Sequence, residues 1–170
     1  GEGIVLREEK RFMVNGRADV SLRTIDGSIQ LKSWDRNEVL VEMKRRGPDG
    51  QSAKAAVVNT SQEGNRILVD VPAPPDRRDG IHIGSSRSPS VSLIVTAPRT
   101  VTVDARTGDG SITADDLAGT ITLNSGDGSI RTRRIEGTLR TRTGDGSIAI
   151  SDAAGRVEAD SGDGSIELGG

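Results

Sequence analysis

With 170 residues and a net charge of −2, the chain is long enough to bury a core, and it carries no bulk attraction for nucleic acid or membrane. Aromatic residues make up 1% of it (one Trp, one Phe, no Tyr), too few for base-stacking platforms. It has no Cys and one His, which excludes disulfides, a thiol nucleophile, and thiolate or multi-histidine metal sites.

In chain order, Ile4-Val5-Leu6 through Phe12-Met13-Val14 reads as an entry strand or capping segment, interrupted by polar residues 7 to 11. Asn15-Gly16 is a turn signal. Ala18 to Thr24 alternates apolar and polar residues, the period of a strand with one buried face. It leads into Asp26-Gly27-Ser28-Ile29 as a rung in its own right, then Gln30 to Trp34 and Val39 to Met43, with one residue inserted near Asp35-Arg36-Asn37. Trp34 reads as a large core filler rather than a ligand platform. Arg45 to Gly50 is a loop, and Lys54–Thr60 with Arg66–Val71 around Glu63-Gly64-Asn65 reads as a β-hairpin. Pro72 to Gly80 is a long break, Ile81-His82-Ile83 a short strand, and Gly84 to Ser90 a second irregular stretch. The regular part opens at Val91, passes Leu93, Ile94 and Val95, turns at Ala97-Pro98 and continues through Val101 and Val103. The loops at 44–52, 72–80 and 84–90 are where a specific site is expected first, because binding residues favour loops on a rigid scaffold.

One phrase dominates the second half. Gly108-Asp109-Gly110-Ser111-Ile112 recurs from Gly126, Gly144 and Gly162, always 18 residues on. A fixed period means a structural repeat, and a unit with two short apolar–polar runs (Ile112/Ala114, Ile121/Leu123) is strand without room for a helix. In register, Ile112, Ile130, Ile148 and Ile166 share a column, as do Val103, Ile121, Leu139 and Val157, and Leu117, Ile135 and Ala153. Thr107, Ser125, Thr143 and Ser161 form a small hydroxylated column. The expected fold is therefore all-β: a single-stranded, right-handed parallel β-solenoid (β-helix) with 18-residue rungs. It carries an N-terminal β-rung and a hairpin insertion. One domain, 1–170, divides into 1–44 (N-terminal strand and first rung), 45–90 (hairpin and loop-rich insertion) and 91–170 (regular repeats). The second glycine of each corner, Gly27, Gly110, Gly128, Gly146 and Gly164, is expected to hold the left-handed conformation, and Gly119, Gly137 and Gly155 to mark the opposite corner.

Outward columns are charged: Asp104, Thr122, Arg140, Glu158; Arg106, Asn124, Arg142, Asp160; and Asp116, Arg134, Asp152. The basic belt of Arg131, Arg133, Arg134, Arg140 and Arg142 reads either as an anion grip or as cross-strand ion pairing. The acids flanking it on both sides weigh toward pairing.

No cofactor, catalytic residue or metal site is expected. A calcium ladder on Asp109, Asp127, Asp145 and Asp163 is the alternative to plain Asx turns, but the β-roll phrase is needed twice per coil and occurs once. His82 near Ser85 and Ser86 lacks a nucleophile-elbow pattern. Asp115, Asp116, Arg133 and Arg134 supply the residue types of a polysaccharide lyase, though they can equally pair with each other.

The order of features is similar to that of the bacterial putative-adhesin β-strand repeat family over nearly the whole chain. The features are the alternating strand, Asp26-Gly27-Ser28-Ile29, Trp34-Asp35-Arg36, Val39 to Met43, the hairpin, the Pro-rich break, Val91 to Pro98, and the iterated Gly-Asp-Gly-Ser-Ile. The resemblance implies a β-solenoid of exported or envelope proteins, an extracytoplasmic location (periplasmic, secreted or cell-surface) and no reaction. Two function classes follow: a non-enzymatic structural, adhesion-like or protein-interaction module, or a carbohydrate- or anion-binding solenoid. Expected partners are a second copy through the C-terminal rung, a surface glycan or an envelope protein, with no nucleic acid. No run reaches the length of a membrane span, and Gly1-Glu2-Gly3 reads as a trimmed or mature start.

Overall fold

Alternation of apolar and polar residues sets the architecture. The computed structural model describes residues 4–47, 57–72 and 90–169, and these are all-β, with no helix among them. The strands are β1 (Ile4–Met13), β2 (Ala18–Thr24), β3 (Ile29–Trp34), β4 (Glu38–Gly47), β5 (Asn59–Glu63) and β6 (Arg66–Asp70). The second half adds β7 (Ser90–Pro98), β8 (Thr100–Thr107), β9 (Ile112–Ser125), β10 (Ile130–Thr143), β11 (Ile148–Ser161) and β12 (Ile166–Gly169).

All twelve join one sheet, whose main path runs β1-β4-β7-β3-β9-β8-β2-β6-β5. Its two ends approach each other: Lys10 Nζ donates to Thr60 Oγ1 (3.1 Å) and Gln62 Nε2 to the Met13 carbonyl (2.8 Å). The sheet is thus nearly closed and barrel-like. β10, β11 and β12 extend it in parallel from β9, each residue facing the one 18 positions on, as in Ile112↔Ile130↔Ile148↔Ile166.

β9 has two partners on its other edge. Ile112 to Ala114 pair with Ile29 to Leu31 of β3, and Ala118 to Ser125 pair with Thr100 to Thr107 of β8. Where these halves meet the strand bends, with Asp116 (φ 62°) before the second half and Gly119 (φ 134°) in its first residues, and the bend recurs at Arg134 (φ 56°) with Gly137 (φ 100°) and at Asp152 (φ 55°) with Gly155 (φ 114°).

The early Asp-Gly-Ser-Ile copy packs where its sequence predicts. Ala18 to Thr24 lie beside Val101 to Thr107, and Ile29 beside Ile112. The entry at Val91 is corrected. β7 pairs β3 on the edge away from β9 and runs antiparallel to β4, so β2 and β3 lie between β6 and β7 on one side and β8 and the start of β9 on the other. β6 is likewise part of the sheet, parallel to β2, and forms with β5 the expected hairpin around Gly64. β1 is continuous through residues 7 to 11, whose charges are accommodated by pairing across to β4: Arg11 with Glu38 at 2.9 Å and Arg45 with Glu8 at 3.0 Å.

The inward columns form one core. Ile112, Ile130 and Ile148 are at most 1% exposed, and Leu117, Ile121, Ile135 and Leu139 are buried with them. Ile166, expected to be buried, is 41% exposed, since β12 pairs only β11 among the described residues.

The corner glycines also need correction. None of Gly27, Gly110, Gly128, Gly146 or Gly164 has a positive φ. Glycine is required there for another reason: a Cβ on Gly128 would overlap the carbonyl oxygen of Gly110, and the same holds from corner to corner. What holds the corners together is the hydroxyl column. Ser125 Oγ donates to the Gly110 carbonyl (2.8 Å) and accepts from the Gly128 N–H (2.9 Å). Thr143 Oγ1 donates to the Gly128 carbonyl (2.7 Å) and accepts from the Gly146 N–H (3.2 Å), and Thr107 and Ser161 repeat the pattern.

Candidate functional site

The charged columns come together as the 18-residue register requires, and most of the basic belt is consumed by it. Arg133 and Arg134 both reach Asp115 (3.2 Å each), Arg140 reaches Glu158 (2.7 Å) and Arg142 approaches Asp160 (3.8 Å). The Asp115 carboxyl is held below the usual range, first by the Arg133 hydrogen bond, against a smaller opposing effect of desolvation. Asp115, Asp116, Arg133 and Arg134 are therefore neighbours, but the pairs neutralise one another rather than leaving an acid and a base free. Asp109, Asp127, Asp145 and Asp163 stand one per corner, and no group of three or more potential metal ligands occurs among the described residues. His82, Ser85 and Ser86 lie outside the described residues, as do most of the 44–52, 72–80 and 84–90 loops.

A concave feature lies elsewhere, at the step in stacking order. An open cleft of about 630 Å³ is built from four separate segments. Gly16 and Arg17 come from the β1–β2 turn, and Ser33 to Asn37 from the end of β3 and the bend after it. Pro98, Arg99 and Thr100 come from the crossing between β7 and β8, and Asp116 from the bend in β9. Because β7 and β8 flank the 18–34 segment on opposite sides, the chain between them must cross it, and the crossing forms one wall.

Trp34 is only half-buried and lines this cleft, so its assignment to the core is corrected. Its indole N–H donates to the Glu38 carbonyl (2.8 Å), which fixes the ring, and the Arg36 guanidinium lies 5.1 Å from the ring centroid, a cation–π distance. Asp116 accepts from Arg99 Nε (2.9 Å) and from Ser33 Oγ (3.2 Å). The Arg99 bond is the main reason its carboxyl sits below the ordinary range. Arg99 also reaches Glu136 at 3.5 Å, and its guanidinium pKa is raised chiefly by Asp116. Sequence reasoning missed this site. The residues that break alternation, Asp35-Arg36-Asn37 after the sole Trp, were its signal; Pro98, Arg99 and Asp116 gave none, because they are distant in the chain.

No family model and no curated protein matches the chain. Among solved structures it is similar to a putative cell adhesion protein from Clostridium sporogenes, at 8% identity and TM-score 0.61, over 98% of this chain and 99% of that one. A putative adhesin from Bacteroides fragilis aligns at 9% identity and TM-score 0.32, over 96% and 97%. At such identities the first match speaks for a shared fold.

Proposed function

We propose that the chain is a non-enzymatic, adhesion-like binding module of the bacterial envelope, working outside the cytoplasm. We take its strands as a right-handed parallel β-solenoid of 18-residue rungs, the reading to which the unbroken register of β9 to β12 lends support. The observation that carries the functional reading is the outer charge pattern. Arginines of one rung are paired with acids of the next, giving a fixed polar wall in place of free acids and bases. The fold shared over 98% of the chain with a putative cell adhesion protein agrees with it. The test sets the purified chain against immobilised glycans and isolated envelope fractions, beside turnover assays on acidic polysaccharides. Saturable binding without turnover is expected; release of new reducing ends, or no saturable binding, overturns the reading. The cleft beside Trp34 favours a carbohydrate or anion as the ligand over a purely structural role.

A further inference from the structure

We propose that the Trp34 cleft binds a saccharide bearing a carboxylate, with the sugar ring on the indole and the carboxylate on Arg36 and Arg17. This deepens the binding-module reading and rests on it. The chain has two aromatic residues, and Phe12 is 9% exposed within the core, so Trp34 is the single aromatic plate set at a cleft. Its hydrogen bond to the Glu38 carbonyl already fixes the ring, and with Arg36 over one face the sugar would take the other. A ligand stacking there does not meet the entropy cost of ordering it. The electron-rich face of an indole attracts the partly positive C–H groups on one face of a pyranose, as it attracts a cation.

The charges specify the rest. Arg99, Arg133, Arg134 and Arg140 are all paired with carboxylates, whereas Arg17 and Arg36 have no ion-pair partner among the described residues. A guanidinium offers a planar fork of donors that matches a carboxylate. Asp116, also in the lining, is already engaged by Ser33 and by Arg99, which it shares with Glu136. Of the remaining charges in the lining, Asp35 is one acid against Arg17 and Arg36, which have no ion pair among the described residues. Asn37 and Thr100 in the lining supply the amide and hydroxyl groups that sugar hydroxyls pair with. At about 630 Å³ the cleft falls within the size range of small-ligand sites, and its open side leaves room for a sugar to continue as a chain.

Because Trp34 is the only tryptophan, its emission reports this cleft alone. The experiment titrates the full chain with trigalacturonate and, in parallel, with the neutral galactose trisaccharide, at low ionic strength. The expected result is a saturable change in Trp34 emission with the acidic sugar, binding weaker by about tenfold or more for the neutral one, and a similar loss in Arg36→Gln at unchanged melting temperature. Arg17→Gln is the second variant, since it leaves the Trp34–Arg36 contact untouched. No saturable change up to about 10 mM, equal affinity for the two sugars, or full affinity in both variants overturns the proposal. Saturable binding on immobilised glycans with Trp34 emission unmoved would overturn this cleft while leaving the binding-module reading standing.

Discussion

Gly128 shows how a residue can be indispensable without adopting an unusual backbone angle. Its φ is not positive, yet a Cβ there would collide with the Gly110 carbonyl, a backbone atom that cannot move without shifting the neighbouring corner. Gly128→Ala is therefore expected to destabilise by about 3 kcal/mol or more, the range of overpacked backbone sites. For a chain of this size that is a fall of roughly 6–12 °C in melting temperature. Asp127→Asn, on the exposed apex of the same corner, should stay within about 0.5 kcal/mol. Thermal melts of the two variants check both values; equal melting temperatures would refute the close-approach account.

At the scale of the element, each long strand is held to the next by more than its ladder. The hydroxyl of Thr143 joins the Gly128 carbonyl to the Gly146 N–H and so links two corners. Thr143→Val keeps the shape but leaves both groups without that partner. A loss of about 1–3 kcal/mol is expected, with Thr143→Ser close to the parent; chemical denaturation measures it. The bend columns add an electrostatic component. Asp115 and Asp116 have carboxyl pKa values lowered by Arg133 and Arg99 respectively. A lowered folded-state pKa contributes stability that is complete above the unfolded value of about 3.9 and is lost as pH falls through the folded value. Asp116→Asn should therefore lower the melting temperature modestly at neutral pH, where the pairing is fully present, and flatten part of its fall on the acid side, so that parent and variant converge there. The pairs are exposed, so added salt should shrink the difference. An acid limb identical in parent and variant would show that the Arg99 pairing contributes nothing.

For the whole molecule, rung register is the quantity to test, and a chain without cysteine makes the test clean. Thr122 and Arg140 are direct partners across β9 and β10, whereas Thr122 and Glu158 lie two strands apart. Neighbouring strands lie about 4.8 Å apart, within disulfide reach, and alternate strands lie beyond it. A Thr122→Cys/Arg140→Cys pair is expected to oxidise readily, and Thr122→Cys/Glu158→Cys not to, as read by mass spectrometry under non-reducing conditions. The expectation of self-association concerns β12, where Ile166 is 41% and Leu168 68% exposed. Solution mass should rise with concentration in the parent chain and stay monomeric in Leu168→Lys; a monomer throughout would refute it.

The repeating phrase by itself determined which residues face inward and that Ile112, Ile130 and Ile148 stack, and it weighed toward arginines of one unit meeting acids of the next. These follow from a period of two along the strand and 18 between strands, both written locally in the chain. The match of Thr24-Ile25-Asp26-Gly27-Ser28-Ile29 to Thr107 through Ile112 was readable in the same way. The tertiary structure alone decided that β2 and β3 lie between β6 and β7 on one side and β8 and the start of β9 on the other. Backbone ladders accept any strand with the right face inward, and alternation does not say which strand comes next. It also decided which glycines take the left-handed angle, Gly119, Gly137 and Gly155, because the bend beside Asp116, Arg134 and Asp152 turns the strand there while the Gly-Asp-Gly corners press backbone on backbone. The place of Trp34 followed from the same stacking: the crossing at Pro98 and Arg99 reaches it from more than sixty residues away and turns a residue of core type into the wall of a cleft.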